Sequence, residues 1–155
     1  MEPFALLIAA TLNAGTVLAF AALGLLINER AGILNLGAEG MMLVAAVAGY
    51  ATAVHTGSDW IAFGAGAVAG ALLAAAFGLL VIWLNTNQVA TGLALSLFGA
   101  GFSAFAGIRY TQEKLTERPR FEIPGLADLP FVGPAFFKQH PMVYLAVLLT
   151  IGIAW

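Results

Sequence analysis

The chain alternates long apolar runs with short polar breaks. A helix that crosses a bilayer needs about 20 largely apolar residues, and four runs in the 155-residue sequence are that long. A fifth run is still apolar where the sequence stops. The pattern predicts complete spans at residues 4–27, 32–54, 60–84 and 89–108, and a truncated fifth span at residues 142–155.

The connections between these runs define the expected fold class. Short polar connections join the first four runs, so consecutive helices should pack antiparallel. Only residues 109–141 are long enough to form an extramembrane loop. We therefore expect an all-α fold, a polytopic membrane helix bundle with about four complete transmembrane helices plus a truncated fifth. Residues 1–155 form one partial transmembrane domain.

Composition places the chain in a membrane. Hydrophobic residues make up 61% of the sequence and charged residues 9%, whereas charged residues are about a quarter of a soluble protein. The six Lys and Arg residues are scattered and make no basic face, which excludes nucleic acid as a partner. The absence of cysteine excludes disulfides and thiolate chemistry within this sequence.

The beginning of the second apolar run carries the first candidate site, Asn35 and Glu39. A carboxylate within a hydrophobic span costs roughly 2.5–3.5 kcal/mol on insertion scales, so Glu39 should face protein or water. If the span is helical from Gly32, the two side chains project from one face. They then line a solute path or act as a hinge. The alternative is that Glu39 caps the amino terminus of a half-helix or bonds a neighbouring helix.

A second polar cluster, residues 85–92, precedes and enters the fourth run. Its candidates for pathway or gating roles are Asn87, Gln88 and Thr91. Most clusters of this kind are solvated connectors, and an asparagine here suits the N-cap position of the following helix. We favour the cap for this connection.

Two rows of small residues predict close helix packing. Small side chains at every fourth position let helix backbones approach in lipid. A seam within one subunit is favoured over a contact between subunits. The residues of the two rows are Gly66, Gly70, Ala74 and Gly78 in the third span and Gly99, Ser103 and Gly107 in the fourth.

Catalytic and nucleotide-binding motifs are absent from the sequence. It contains no His-Glu-x-x-His, no Gly-x-Ser-x-Gly and no Gly-Lys dipeptide, so it lacks a Walker A phosphate loop. We expect no catalytic residue, no metal site and no cofactor in this chain, and therefore no enzyme activity. Any ATP that drives transport must be used by a separate subunit.

Two motifs resemble those of a known transporter family. Residues 29–42, with Leu-Asn-Leu-Gly-Ala-Glu-Gly at 34–40, closely resemble the amino-terminal signature of ABC-importer permeases in the branched-chain amino acid, ribose and nucleoside superfamily. Residues 87–95, Asn-Gln-Val-Ala-Thr-Gly-Leu-Ala-Leu, resemble a second pattern of that group. The first motif is most like that of nucleoside or simple-sugar permeases. Members are roughly twice this length, so the chain resembles an amino-terminal half.

The resemblance implies a permease subunit of an ATP-driven importer for nucleosides or simple sugars, in the plasma (inner) membrane of a prokaryote. The implied partners are ABC ATPase subunits, a second permease subunit, an extracytoplasmic substrate-binding protein and the lipid bilayer. A neutral, hydroxyl-rich solute agrees with span interiors that contain no lysine or arginine. Two alternatives stay open: an ion-coupled secondary transporter that uses Glu39, and a membrane subunit with a purely structural role.

The sequence gives two opposing indications of topology. Five of the basic residues lie in the loop at residues 109–141, and Arg30 lies at the other side. The positive-inside rule therefore places the loop in the cytoplasm. The resemblance places it outside, because the coupling segment of the family, one helix later, faces the cytoplasmic ATPase. We prefer the resemblance, which puts the amino terminus outside.

Overall fold

The structure is a computed structural model that describes residues 2–113 and 139–154. Those residues form helices and their connections, and no strand occurs among them. This confirms the expected all-α class. The helices are α1 (Glu2–Arg30), α2 (Ala38–Thr56), α3 (Asp59–Gly78) with a π-helical continuation (Leu79–Trp83), α4 (Gln88–Gly107) with a 3-10 turn (Ile108–Tyr110), and α5 (Pro141–Ala154).

The helix bounds lie close to the predicted spans except at one place. The second span was expected to begin at Gly32, but α2 begins at Ala38. Residues 31–37 are not helical, so the connection expected at 28–31 lies further along the chain. We call residues 31–37 the interruption. Most of the predicted extramembrane loop, residues 114–138, lies outside the described residues.

Three of the described helices are long and apolar enough to cross a membrane: Leu7–Arg30, Asp59–Trp83 and Gln88–Tyr110. A shorter apolar helix covers Pro141–Ile153. Helix α2 has 19 residues, which is about 28 Å at 1.5 Å per residue. It therefore comes close to the roughly 30 Å hydrocarbon thickness, although it is not one of those three helices.

The chain divides into two compact units. The described part of the first unit consists of α1 up to Leu26 together with residues 139–154. Within it, the Asn13 amide donates to the Gln139 side-chain oxygen at 2.6 Å and to the Ala9 carbonyl at 2.9 Å. Gln139 is 1% exposed. The bond therefore ties α1 to the residue pair that precedes α5.

The second unit, Ile27–Thr116, contains α2, α3 and α4. Helix α3 is antiparallel to α2, because Gly66 lies against Ala45 while the earlier residue Ala62 lies against the later Gly49. Helix α4 is parallel to α2. Its Gly99 contacts Gly40, and its Gly107 lies nearest Val47.

The core of this unit lies directly behind the interruption. Met41 of α2 packs with Phe77 and Val81 of the α3 segment, and Ile33 and Leu95 pack against this cluster. The apolar cluster thus joins the interruption, α2, α3 and α4. Van der Waals contacts among these packed side chains hold the main chain around Ile33 in place.

Candidate functional site

Helix α1 ends at Arg30, and a glycine two residues later terminates it. Gly32 has φ +78°, a left-handed conformation that glycine adopts without steric strain. The Gly32 amide donates to the Glu29 carbonyl at 2.9 Å, and the Ile33 amide donates to the Asn28 carbonyl at 2.9 Å. This pair of bonds is the Schellman motif, which terminates a helix and satisfies its last carbonyls. The local sequence therefore stops α1 where the interruption begins.

Two side chains of α4 hold the main chain of the interruption. The Leu34 amide donates to the Gln88 side-chain oxygen at 2.8 Å. The Ser96 hydroxyl donates to the Leu36 carbonyl at 2.7 Å. Non-helical backbone at membrane depth is tolerated where protein satisfies its polar groups or where it lines a cavity, and these two bonds meet that requirement in part.

Glycines let the interruption lie directly on α4. A Cβ built on Gly92 lies 2.9 Å from the Leu36 nitrogen and 3.0 Å from the Gly37 nitrogen. A Cβ built on Gly99 overlaps the main chain of Gly40, in the first turn of α2. Any larger side chain at these positions pushes the segments apart. We call four residues on one face of α4 the α4 strip: Gln88, Gly92 and Ser96, which contact the interruption, and Gly99, which contacts Gly40 of α2.

The interruption lies alongside a helical segment that is long enough to cross the membrane. That segment consists of α4 and the 3-10 turn after it, and it runs from Gln88 to Tyr110. Leu34 bonds at its first residue and Leu36 bonds at Ser96, about 12 Å further along the helix axis at 1.5 Å per residue. The interruption therefore follows the first half of α4 rather than ending at its tip.

The two residues of the first candidate pair do not share a helix face. The expectation required a helix from Gly32, and Asn35 instead lies in the interruption, 9% exposed. Its side-chain oxygen accepts from the Gly37 amide at 3.0 Å, and its amide donates to the Met41 sulfur at 3.7 Å. Glu39 lies in the first turn of α2, with its side chain exposed. A carboxylate there interacts favourably with the helix dipole.

The second polar cluster forms the connection from α3 to α4. Asn85 has φ +51°, and the Thr86 hydroxyl donates to the Leu80 carbonyl at 2.9 Å. Asn87 is the N-cap of α4, because its side chain accepts from the Ala90 amide at 3.0 Å. The Thr91 hydroxyl is 2.9 Å from that of Thr86. Gln88 alone among the three candidates of this cluster reaches the interruption.

The predicted packing residues lie in different environments. Gly66 is in close contact with α2, since a Cβ built there lies 2.9 Å from the Ala45 carbonyl oxygen. At Gly70 and Gly107 the nearest atoms are at ordinary contact distances of 3.5 and 3.8 Å. A Cβ on Gly78 reaches only Ile82 of the same helical segment at 3.9 Å. The Ser103 hydroxyl donates to the Ala100 carbonyl within α4 at 3.0 Å.

Sequence reasoning missed Ser96, although a signal was present. Residues 88, 92, 96 and 99 are spaced by four, four and three positions, so they lie on one face of a helix. All are small or polar. The predicted row of small residues began at Gly99. It did not include the polar residues Gln88 and Ser96, which lie on the same face of the helix.

A second cluster without a sequence signal lies at the other ends of α2 and α4. The Tyr110 hydroxyl is 3.3 Å from His55 Nε2, and the Tyr50 hydroxyl donates to the Glu113 carbonyl. The Tyr50 and Tyr110 rings meet edge to face with centroids 6.4 Å apart. These contacts tie the first residues after α4 to α2. They were not predictable because the residues lie on separate helices.

The arrangement favours interaction with neutral polar groups. The α4 strip presents an amide, a hydroxyl and glycine backbone, and it contains no charged side chain. Within residues 2–113 and 139–154, no three His, Cys, Asp or Glu side chains come together as a metal site. Along the chain, Arg30 precedes the interruption directly, and Glu39 follows it in the first turn of α2.

Comparison with known proteins gives a consistent group of relatives. TsgC13 of Haloferax volcanii, provisionally named a glucose ABC transporter permease protein, is 46% identical over 153 residues, covering 96% of this chain and 46% of its own. The guanosine ABC transporter permease protein NupQ of Bacillus subtilis is 28% identical over 100% of this chain and 51% of its own. The nucleoside ABC transporter permease protein NupC of Lactococcus lactis subsp. cremoris is 29% identical over 97% of this chain and 50% of its own.

The chain thus spans about half the length of the curated relatives it matches. No solved structure matches it significantly. Residues 7–155 match the family described as the permease component of the branched-chain amino acid transport system. The match covers nearly the whole chain, which also contains several membrane-length helices. The chain therefore belongs to this family of transport-system permease components, and it is a multi-pass protein of the prokaryotic inner membrane.

Proposed function

We propose that this chain forms part of the solute pathway of an ATP-driven ABC importer for nucleosides or simple sugars. The observation that carries the proposal is the interruption, non-helical main chain held against the first half of a membrane-length helix. In transporters, interrupted helices at membrane depth form solute sites, because their free main-chain groups can contact a polar solute. Membership of a permease family supports the same role.

The proposed cargo is a neutral, hydroxyl-rich ring compound. The relatives are named for glucose, guanosine and nucleosides. The α4 strip and the interruption contain amides, a hydroxyl and main-chain groups but no lysine or arginine to hold an anion. An uncharged solute would therefore lose less hydration energy on passing them than a phosphorylated one.

Each candidate side chain has a proposed part in this pathway. Glu39 lines it, because its side chain is exposed beside the interruption. Asn35 and Gln88 maintain the shape of the interruption through their bonds to its amides. Asn87 and Thr91 fix the beginning of α4, from which Gln88 projects.

The energy source and the partners belong to the same proposal. This chain contains no Gly-Lys dipeptide and so no Walker A loop, and we assign ATP use to separate ABC ATPase subunits. A second permease subunit completes the pathway, and an extracytoplasmic substrate-binding protein delivers the solute. This chain itself needs no cofactor and catalyses no reaction.

Uptake by the complete transporter in proteoliposomes tests the proposal. Labelled glucose and guanosine are offered with ATP inside the vesicles, with and without the transporter's purified substrate-binding protein outside. We expect uptake of one of them that requires both ATP and the binding protein. Glucose 6-phosphate and guanosine monophosphate serve as anionic controls and should not enter.

Three results would contradict the proposal. If a protonophore abolishes uptake while ATP is held constant, the protein is an ion-coupled transporter, with exposed Glu39 as its candidate proton carrier. If a binding protein from the same gene cluster selects a phosphorylated or strongly anionic ligand, the assignment to neutral solutes is wrong. A complex that shows no solute dependence at all would indicate a structural subunit.

A further inference from the structure

The interruption has two distinct sides. Leu34 is 54% exposed and Leu36 is 47% exposed, whereas Asn35 between them is 9% exposed. The Leu34 and Leu36 side chains therefore contribute little to holding the segment in place. Beyond the packed side chain of Ile33, the attachment of residues 34–37 depends on main-chain groups, which Gln88, Ser96 and Asn35 engage.

The two bonds from α4 act on opposite kinds of main-chain group. Gln88 accepts from the Leu34 amide, and Ser96 donates to the Leu36 carbonyl. The bonds are two residues apart on the interruption and eight apart on α4. Together they fix both the rotation of the segment and its position along the α4 axis, which a single bond could not do.

We propose that Ser96 is a positioning residue for solute passage and that it acts jointly with Gln88. Its hydroxyl holds the Leu36 carbonyl, and so sets which main-chain groups the interruption turns away from α4. Those groups are the ones available to a passing solute. The transport part of this inference rests on the proposed function, whereas the structural part does not.

A spin label on the interruption tests the structural part. This chain contains no cysteine, so Leu34→Cys introduces one labelling site into it, at an exposed side chain. Electron paramagnetic resonance then reports the motion of the segment in the complete protein. We expect Ser96→Ala to increase label motion and Ser96→Thr, which keeps the hydroxyl, to restore the native spectrum.

The matched control is Ser103→Ala. It makes the same substitution in the same helix, but the Ser103 hydroxyl bonds to α4 itself, at the Ala100 carbonyl. Label motion should be unchanged by this variant. If Ser96→Ala and Ser103→Ala give the same spectrum as the native side chains, Ser96 does not hold the interruption and the inference is overturned.

Uptake kinetics test the functional part. Because the binding protein delivers the solute in the proposed function, the change should fall on kcat and leave KM unaltered. Ser96→Ala should lower kcat per inserted transporter by between about 2-fold and about 10-fold, the range that one intramolecular hydrogen bond supports. Gln88→Leu should act similarly, and Gln88→Glu, which keeps an acceptor oxygen, should retain activity.

The combination of variants separates the possible outcomes. Because Ser96 and Gln88 hold one segment, the fold-change in kcat of the double variant should differ from the product of the fold-changes of the two single variants. A native kcat in Ser96→Ala with increased label motion would overturn the functional part alone. Absence of ATP-dependent uptake in the native complex would refute the proposed function, and the spin-label result would still decide whether Ser96 positions the interruption.

Discussion

Replacing Gly99 by alanine tests the close contact between α2 and α4. A Cβ at this position overlaps the Gly40 main chain and lies 2.5 Å from the Gly40 carbonyl carbon. Since carbon atoms pack at about 3.5–4.0 Å, α2 and α4 must separate by roughly 1 Å. The obstructing atoms belong to the main chain, so no side chain can rotate to relieve the overlap.

The expected loss of stability follows from two opposing effects. Overpacking of this kind costs about 1–3 kcal/mol, and alanine recovers up to about 1 kcal/mol through its higher helix propensity. A net loss of up to about 2 kcal/mol in the free energy of unfolding should lower the melting midpoint by several degrees. The same separation stretches the 2.7 Å bond from Ser96 to Leu36 beyond hydrogen-bonding distance, so uptake should also fall.

Thermal unfolding of the purified complex in detergent, followed by fluorescence size-exclusion chromatography, measures the melting midpoint. Proteoliposome assays measure the uptake. Gly101→Ala is the matched control, because a Cβ there meets no atom within 4 Å. It should leave both properties unchanged or raise the melting midpoint slightly. If Gly99→Ala melts and transports like the native protein, α2 and α4 are not in backbone contact, and the arrangement of the interruption on α4 is wrong.

Three further predictions concern the candidate side chains. Asn87→Ala should destabilise the protein by about 1 kcal/mol through loss of the α4 cap, while Asn87→Asp keeps the capping oxygen; equal melting midpoints for the two would argue against the cap. Asn35→Ala should lower the free energy of unfolding by about 1–3 kcal/mol, because it leaves a buried main-chain amide without its acceptor. Leu34→Ala, at an exposed position, should lower it only slightly, and the reverse order of the two effects would contradict the described orientation. Glu39→Gln should retain uptake and Glu39→Leu should abolish it with the protein still inserted, because a hydrogen-bonded role needs no charge; native rates in both would exclude Glu39 from the pathway.

The fold class was predictable because membrane insertion imposes a simple rule on sequence. A backbone in lipid must satisfy its own polar groups, so apolar runs of about 20 residues have to be helices. This fixed α1, α3 and α4 to within a few residues of their observed bounds. The cap at Asn87 was also predictable, because capping depends on residues that are neighbours in sequence.

The beginning of α2 was not predictable from the same rule. Residues 32–37 are apolar or glycine apart from Asn35, and composition alone does not distinguish a helix from an interruption. The helix is lost there because α4 offers alternative partners to the main chain, through Gln88 and Ser96, and because Gly92 leaves room for the segment. Those partners lie 54 and 60 residues away in sequence.

The sequence by itself therefore determined the class of the protein, its helices and the two motifs that indicate its family. Only the tertiary structure decided how the motifs act, by bringing the interruption onto the α4 strip, separating buried Asn35 from exposed Glu39 and revealing Ser96. The physical reason is that local hydrogen bonding and hydropathy are properties of neighbouring residues. The shape of a broken segment in a membrane depends instead on which distant side chains satisfy its main chain.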